Sequence, residues 1–163
     1  SAIRATFEAG ASFATVHAQS GSEALKRLAA IEAELCAQRP FKILSVTILT
    51  SFAQAGLPSV SAAQPIAEQV KALAELTIES GLSGIVSSAA EVASLRQAHP
   101  SSFLVIPGIR LPGNDVGDQK RVLGPREAVA LGASALVVGR PIVDAKDPAG
   151  AAEQFHKAIA EFK

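Results

Sequence analysis

The stretch FLVIPGIRLPGNDVGDQ, residues 103–119, and its shorter echo LVVGRPI, residues 136–142, decide how the rest of the chain is read. In each, a short apolar run stops at glycine and an arginine follows at once. Residues 103–106 and 135–138 are short and rich in branched side chains, which suits buried strands better than helices. Pro107-Gly108 in the first and Gly139 in the second are loop residues. Arg110 and Arg140 therefore fall just past the carboxyl ends of two successive strands. In α/β sheets that edge is where ligands bind, and in (β/α) barrels the last loops commonly hold a phosphate. Glycine lets backbone N–H groups approach an anion, and arginine offers a planar fork of donors. One Gly-Arg loop is commonplace. Two in tandem favour an anionic ligand.

Outward from this stretch, the chain alternates. Residues 1–10 read as the last turns of a helix closed by Gly10, so the chain is expected to begin mid-unit. Residues 12–17 form a strand. Ser20-Gly-Ser-Glu23 has the form of a capping box and opens a helix whose stripe is Ala24, Leu28, Ile31 and Leu35, widened by Leu25 and Cys36. Arg39-Pro40 ends it. Residues 43–49, ILSVTIL, are a strand with Thr50-Ser51 at its carboxyl end, and residues 55–61 are a loop long enough to cover a site. A helix over 65–80 stops at Gly81, with Ile66, Val70, Leu73 and Thr77 on one face. A strand over 84–87 and a brief helix opened by Ser88-Ala-Ala-Glu91 follow. Pro125 starts a helix that Gly132 closes, and Asp147-Pro148 caps the last one, with Phe155, Ala158, Ile159 and Phe162 inward. Five strand–helix units in strict alternation require a parallel sheet with right-handed crossovers. They fit an open doubly wound sheet, or the later part of an eight-unit barrel.

The 163 residues suffice for one domain, and 48% hydrophobic with 18% charged residues is a globular composition. Fifteen basic and fifteen acidic side chains cancel, and no basic block marks a nucleic-acid surface. No apolar run approaches membrane-spanning length. The single cysteine, Cys36, points to a reducing, cytoplasmic compartment and is expected in the core beside its helix stripe. His17 ends a strand; a packed, hydrogen-bonded role is the expectation, ahead of a place in a site. His99 and His156 read as helix-end or surface residues, and three scattered histidines with one cysteine have no metal spacing. Ser51, Ser87 and Ser88 lack a His/Asp pairing, and capping explains Ser87 and Ser88. Lys120 and Arg121 read as solvated loop charges. For Arg110, on a loop, water is the competing partner.

The segments TVHA (15–18), VTILTS (46–51), GIVSSAAE (84–91), VIPGIRLPGNDVGDQKRV (105–122) and VVGRPI (137–142) resemble bacterial orotidine 5′-monophosphate decarboxylase, in that family's order and at about its spacing. The resemblance implies a (β/α)8 TIM barrel whose first three strands are absent from this chain, a single domain over 1–163 incomplete at its N-terminus, and a homodimer. It implies conversion of orotidine monophosphate to UMP without metal or organic cofactor, and no nucleic-acid or membrane partner. By motif, Arg110 and Arg140 would hold the phosphate, and Gly139 would give it a backbone N–H. Gln119 would help close the long loop, and Thr50 would line the pocket. The family's Asp-x-Lys-x-x-Asp motif and its further lysine and aspartate would crowd the substrate carboxylate, stabilise charge at the carbon and protonate it. The chain holds none of these catalytic groups at a matching position: Asp144-Ala-Lys146-Asp147 has the wrong second spacing and reads as surface charge and a cap. The alternatives are another phosphosugar-binding barrel enzyme, for which no Schiff-base lysine stands at a strand end, and a catalytically dead phosphate-binding fragment or scaffold with exposed edge strands.

Overall fold

A computed structural model describes residues 2–57, 63–112 and 122–160. Helix α1 (Ala2–Glu8) leads into β1 (Phe13–His17) and α2 (Ser22–Cys36), then β2 (Lys42–Val46), α3 (Ile66–Glu79) and β3 (Gly84–Val86). After these come α4 (Val92–Ala98), β4 (Phe103–Ile106), α5 (Pro125–Ala130), β5 (Ala135–Leu136), the single turn α6 (Arg140–Val143) and α7 (Pro148–Ala160). The sheet runs β1-β2-β3-β4-β5, and every pairing is parallel. Neighbours in sequence are neighbours in space, the order a barrel wall has. A doubly wound sheet would reverse its strand order part-way.

The helices cover one side of the sheet. Ala14, Ile43 and Leu82 are buried with Ile3, Phe7, Leu25 and Leu35 under α1 and α2. Ile85, Leu104 and Ile106 are buried with Val70, Ala74, Val92, Leu95, Ala128 and Phe155 under α3, α4, α5 and α7. A fully buried aliphatic side chain of this kind contributes about 1.5–3 kcal/mol. Because strand side chains alternate, Phe13, Thr15, Leu44, Val46, Val86, Phe103 and Val105 face the other way, outside both helix-facing clusters. That inner face is concave. Phe13 on β1 and Phe103 on β4 stack with centroids 5.7 Å apart, although three strand intervals in a flat sheet would separate them by about 14 Å.

Most predicted boundaries hold within a few residues, and the departures have local causes. The strand expected to reach residue 49 ends at Val46, and Thr47 donates both its backbone N–H, at 3.1 Å, and its Oγ1, at 2.8 Å, to the Val86 carbonyl. No capping box opens α2: Ser20 lies in a 3-10 turn (Ala18–Ser20), and Gly21, at φ 87°, starts the helix with no side-chain cap. Ser88 and Glu91 do meet, Ser88 Oγ donating to the Glu91 carboxylate, but in the turn ahead of α4. The caps at Pro125 and Asp147 appear as expected, with Asp147 Oδ1 accepting from Gly150 N at 3.0 Å. Cys36 is exposed rather than core: it occupies the last turn of α2, one residue past buried Leu35, and its Sγ donates to the Phe41 carbonyl at 2.8 Å. The strand expected over 135–138 is confined to Ala135–Leu136, and the single turn α6 begins at Arg140, with Pro141 in its first turn. Phe162 lies outside the described residues.

Candidate functional site at the carboxyl edge of the sheet

All five strands point their carboxyl ends to one edge, so five successive loops meet there. The loop after β2 carries Thr50, only 7% exposed. Its shape is held by Gln54, whose side chain accepts from Ile66 N at 2.9 Å and donates to the Gln64 carbonyl at 3.0 Å. Thr50 is thus fixed at the edge by a loop that is tied to the start of α3.

The loop after β4 carries Arg110. Ile109 and Leu123 form a parallel bridge, and Arg110 N donates to the Leu123 carbonyl at 3.0 Å, so the two ends of the long loop are joined. Gly108 makes the turn at φ 77°, a conformation that a side chain would strain. Arg110 is not a solvated loop arginine: it is 9% exposed, and its Nη1 donates to the Ile109 carbonyl at 2.9 Å. A buried guanidinium needs acceptors for its donors, and the Ile109 carbonyl is one of them.

The loop after β5 brings Gly139 and Arg140, both exposed. The Gly139 carbonyl accepts from Ile142 N at 2.8 Å and Val143 N at 3.1 Å, closing α6. A Cβ at Gly139 would meet nothing within 4 Å, so the space over this backbone is open. Arg140 is the first residue of α6, placed at the mouth by the turn that Gly139 starts. Gln119, with Lys120 and Arg121, lies outside the described residues.

Several other residues sit differently from expectation. His17 is exposed, and among the described residues its imidazole has no hydrogen-bond partner, so the packed reading fails. Ser87 is buried with its Oγ unpartnered among the described residues, and it caps nothing. Ser88 does hold a turn, accepting from Ala90 N at 3.2 Å. His99 is half-buried with Nε2 unpartnered among the described residues, while His156 is exposed. No group of three or more His, Cys, Asp or Glu among the described residues is placed to hold a metal ion. No helix among them is long and apolar enough to cross a membrane.

With five loops and two arginines at one sheet edge, comparison with known proteins gives the arrangement a family. The orotidine 5′-phosphate decarboxylase / HUMPS family matches residues 1–155. The chain belongs to that family. It is 50% identical over 155 residues to the orotidine 5′-phosphate decarboxylase of Synechococcus sp. (strain CC9605), covering 92% of this chain and 64% of that protein. The enzyme of the same name from Paramagnetospirillum magneticum is 44% identical, with 93% of this chain and 66% of the relative covered. The chain thus spans a little under two thirds of the length of such relatives. Among solved structures, the orotidine 5′-phosphate decarboxylase of Lactobacillus acidophilus superposes with a TM-score of 0.78 at 34% identity, over 97% of this chain and 67% of that one. An uncharacterised conserved protein from Geobacillus kaustophilus gives 0.72 at 29% identity, over 97% and 68%. Family membership accounts for the parallel sheet and its strand order.

Proposed function

We propose that this chain supplies the phosphate-holding side and part of the base-binding side of an orotidine 5′-phosphate decarboxylase, acting in pyrimidine synthesis. The observation that carries the reading is the pair of arginines on the β4 and β5 loops, set in a chain half identical to enzymes of that name. Arg110 and Arg140 bind the 5′-phosphate from two loops, and the open backbone at Gly139 donates its N–H to the same group. Thr50 lines the pocket beside the base, and Gln119 closes the long loop over the nucleotide. In the reaction the bond from the pyrimidine ring to its carboxylate breaks, the electron pair stays on the ring carbon, and a proton replaces CO2. The groups that stabilise and protonate that carbon belong to the Asp-x-Lys-x-x-Asp motif, for which these 163 residues hold no match.

The curved wall of five strands supports completion to an eight-stranded barrel. Five eighths of a barrel is close to the 64% of the relative's length that the chain spans. The proposed assembly is a homodimer in the cytoplasm, where the free thiol of Cys36 stays reduced. Calorimetric titration of the chain with uridine 5′-phosphate tests the reading. Binding is expected, with a loss of about 10- to 100-fold for Arg140→Ala or Arg110→Ala, the worth of one charge-assisted contact. Orotidine 5′-phosphate should bind without turnover by this chain alone. Failure of the chain to bind either nucleotide sinks the proposal.

A further inference from the structure

His17 is a polar group that the assignments above leave without a task. It ends β1 and stands in register with Val46, which pairs with Val86, then Val105, then Ala135. These five residues form one row across the inner wall, and His17, Val46 and Val86 are the last residues of their strands. Four are aliphatic. The fifth is an imidazole, carrying one donor and one acceptor when neutral. Its side chain faces the concave side, because Ala14 and Val16 on the same strand pack among the helices and alternation sends Phe13, Thr15 and His17 the other way.

The packed role expected of a lone strand histidine is absent. His17 is exposed, and no hydrogen bond satisfies its ring among the described residues. Lys42, at the opposite end of the same wall, has its Nζ bonded to Ser83 Oγ at 2.9 Å. The wall therefore offers a paired cation at the amino end and, at the carboxyl end, an exposed imidazole with no protein partner among the described residues. Curvature brings His17 toward the candidate site. The Phe13–Phe103 stack shows that side chains of β1 and β4 meet over the concave face. His17 lies four residues past Phe13, about 13 Å of rise further along β1, at the carboxyl end of that strand, the edge from which the Arg110 loop leaves β4.

We infer that His17 is a further ligand-contacting residue of this site, hydrogen-bonding the sugar–base part of the nucleotide whose phosphate the two arginines hold. The inference rests on the nucleotide reading proposed above. The aliphatic row gives a planar ring an apolar surface to lie against, and the imidazole adds a directional contact at the end of that surface. Carbonyl and hydroxyl oxygens of a pyrimidine nucleoside are the matching chemistry. A bare phosphate would not reach His17, so the two parts of the ligand report on different residues.

The test compares uridine 5′-phosphate with inorganic phosphate on the 163-residue chain. Dissociation constants are measured for wild type, His17→Ala, His17→Asn, Arg140→Ala and, as a control on α7, His156→Ala. His17→Ala should weaken nucleotide binding about 5- to 10-fold and leave phosphate binding unchanged, and His17→Asn should recover part of the loss. In wild type, the imidazole proton resonance absent from the His17→Asn spectrum should move on addition of nucleotide and stay put with phosphate. Equal nucleotide affinity in wild type and His17→Ala, with Arg140→Ala still weakened, overturns the role of His17 and leaves the nucleotide reading standing. An equal loss for nucleotide and phosphate in His17→Ala also overturns it, since that marks a disturbed fold. A wild-type chain that binds neither probe overturns both.

Discussion

Gly84 carries more constraint than its place in a three-residue strand suggests. A Cβ built there would lie 2.4 Å from the Ile43 carbonyl oxygen and 2.9 Å from Leu44 Cδ2, so β2 and β3 approach too closely for a side chain. Gly84→Ala should cost about 1–3 kcal/mol, because the obstacle is the backbone of a central strand. Urea unfolding would register this as a lower midpoint at unchanged slope. A midpoint equal to wild type would show that the strands part without penalty. In sequence this glycine reads only as the start of a strand, since close approach is a property of two chains and periodicity describes one. Arg110 gives a similar lesson: its position in a loop was legible, but its burial depends on the bridge between Ile109 and Leu123, which sequence spacing does not reveal.

Helix α4 is tied to the entry of two strands by Arg96. Its Nε and Nη2 donate to the Gly132 carbonyl at 3.0 and 2.7 Å, Nη1 donates to the carbonyls of Pro100 and Ser102 at 2.5 and 2.9 Å, and Nη2 reaches Ser134 Oγ at 3.0 Å. One planar fork thus holds the α4–β4 and α5–β5 turns together at the end of the sheet away from the candidate site. Lysine has a single nitrogen and cannot span these acceptors. Arg96→Lys should lower stability by about 1–3 kcal/mol while leaving nucleotide affinity unchanged in a folded sample; weakened binding at full stability would reverse that assignment. Helix α1 is tied by a different device, in which Arg4 Nη2 donates to Glu34 Oε2 at 2.6 Å and Arg4 Nη1 to Oε1. The hydrogen bond from Arg4 holds the Glu34 carboxyl below its ordinary 4.5 against the opposing effect of desolvation, with a lesser Coulombic attraction to Arg4 added, and the same bond raises Arg4. A carboxyl lowered on folding stabilises the fold fully above its unfolded value, and that contribution disappears as pH falls through the folded value. Wild type should therefore exceed Glu34→Gln in urea midpoint near neutrality and lose that margin below about pH 4. Because both side chains face solvent the margin is small, and a margin that persisted in acid would rule the pair out as its cause.

For the whole molecule, the sheet has a covered face and a bare one. Helices fill the convex side, while Phe13 and Val137 on the concave side remain 49% and 48% exposed. An apolar dye such as ANS should bind this chain, and Phe13→Thr with Val137→Thr should reduce its fluorescence by roughly half. Unchanged fluorescence would place the dye elsewhere. The alternation of strands and helices, the parallel sheet, the glycine stops at Gly10, Gly81 and Gly132, and the two arginine loops could all be taken from the sequence. Each is set by local chemistry: branched runs, fixed proline φ and glycine's left-handed freedom act within a few residues. The curvature that stacks Phe13 on Phe103, the burial of Arg110, the exposure of Cys36 and the bare imidazole of His17 were decided by tertiary structure. They depend on which strands become neighbours and how far the sheet bends, and those distances arise between residues far apart in the chain.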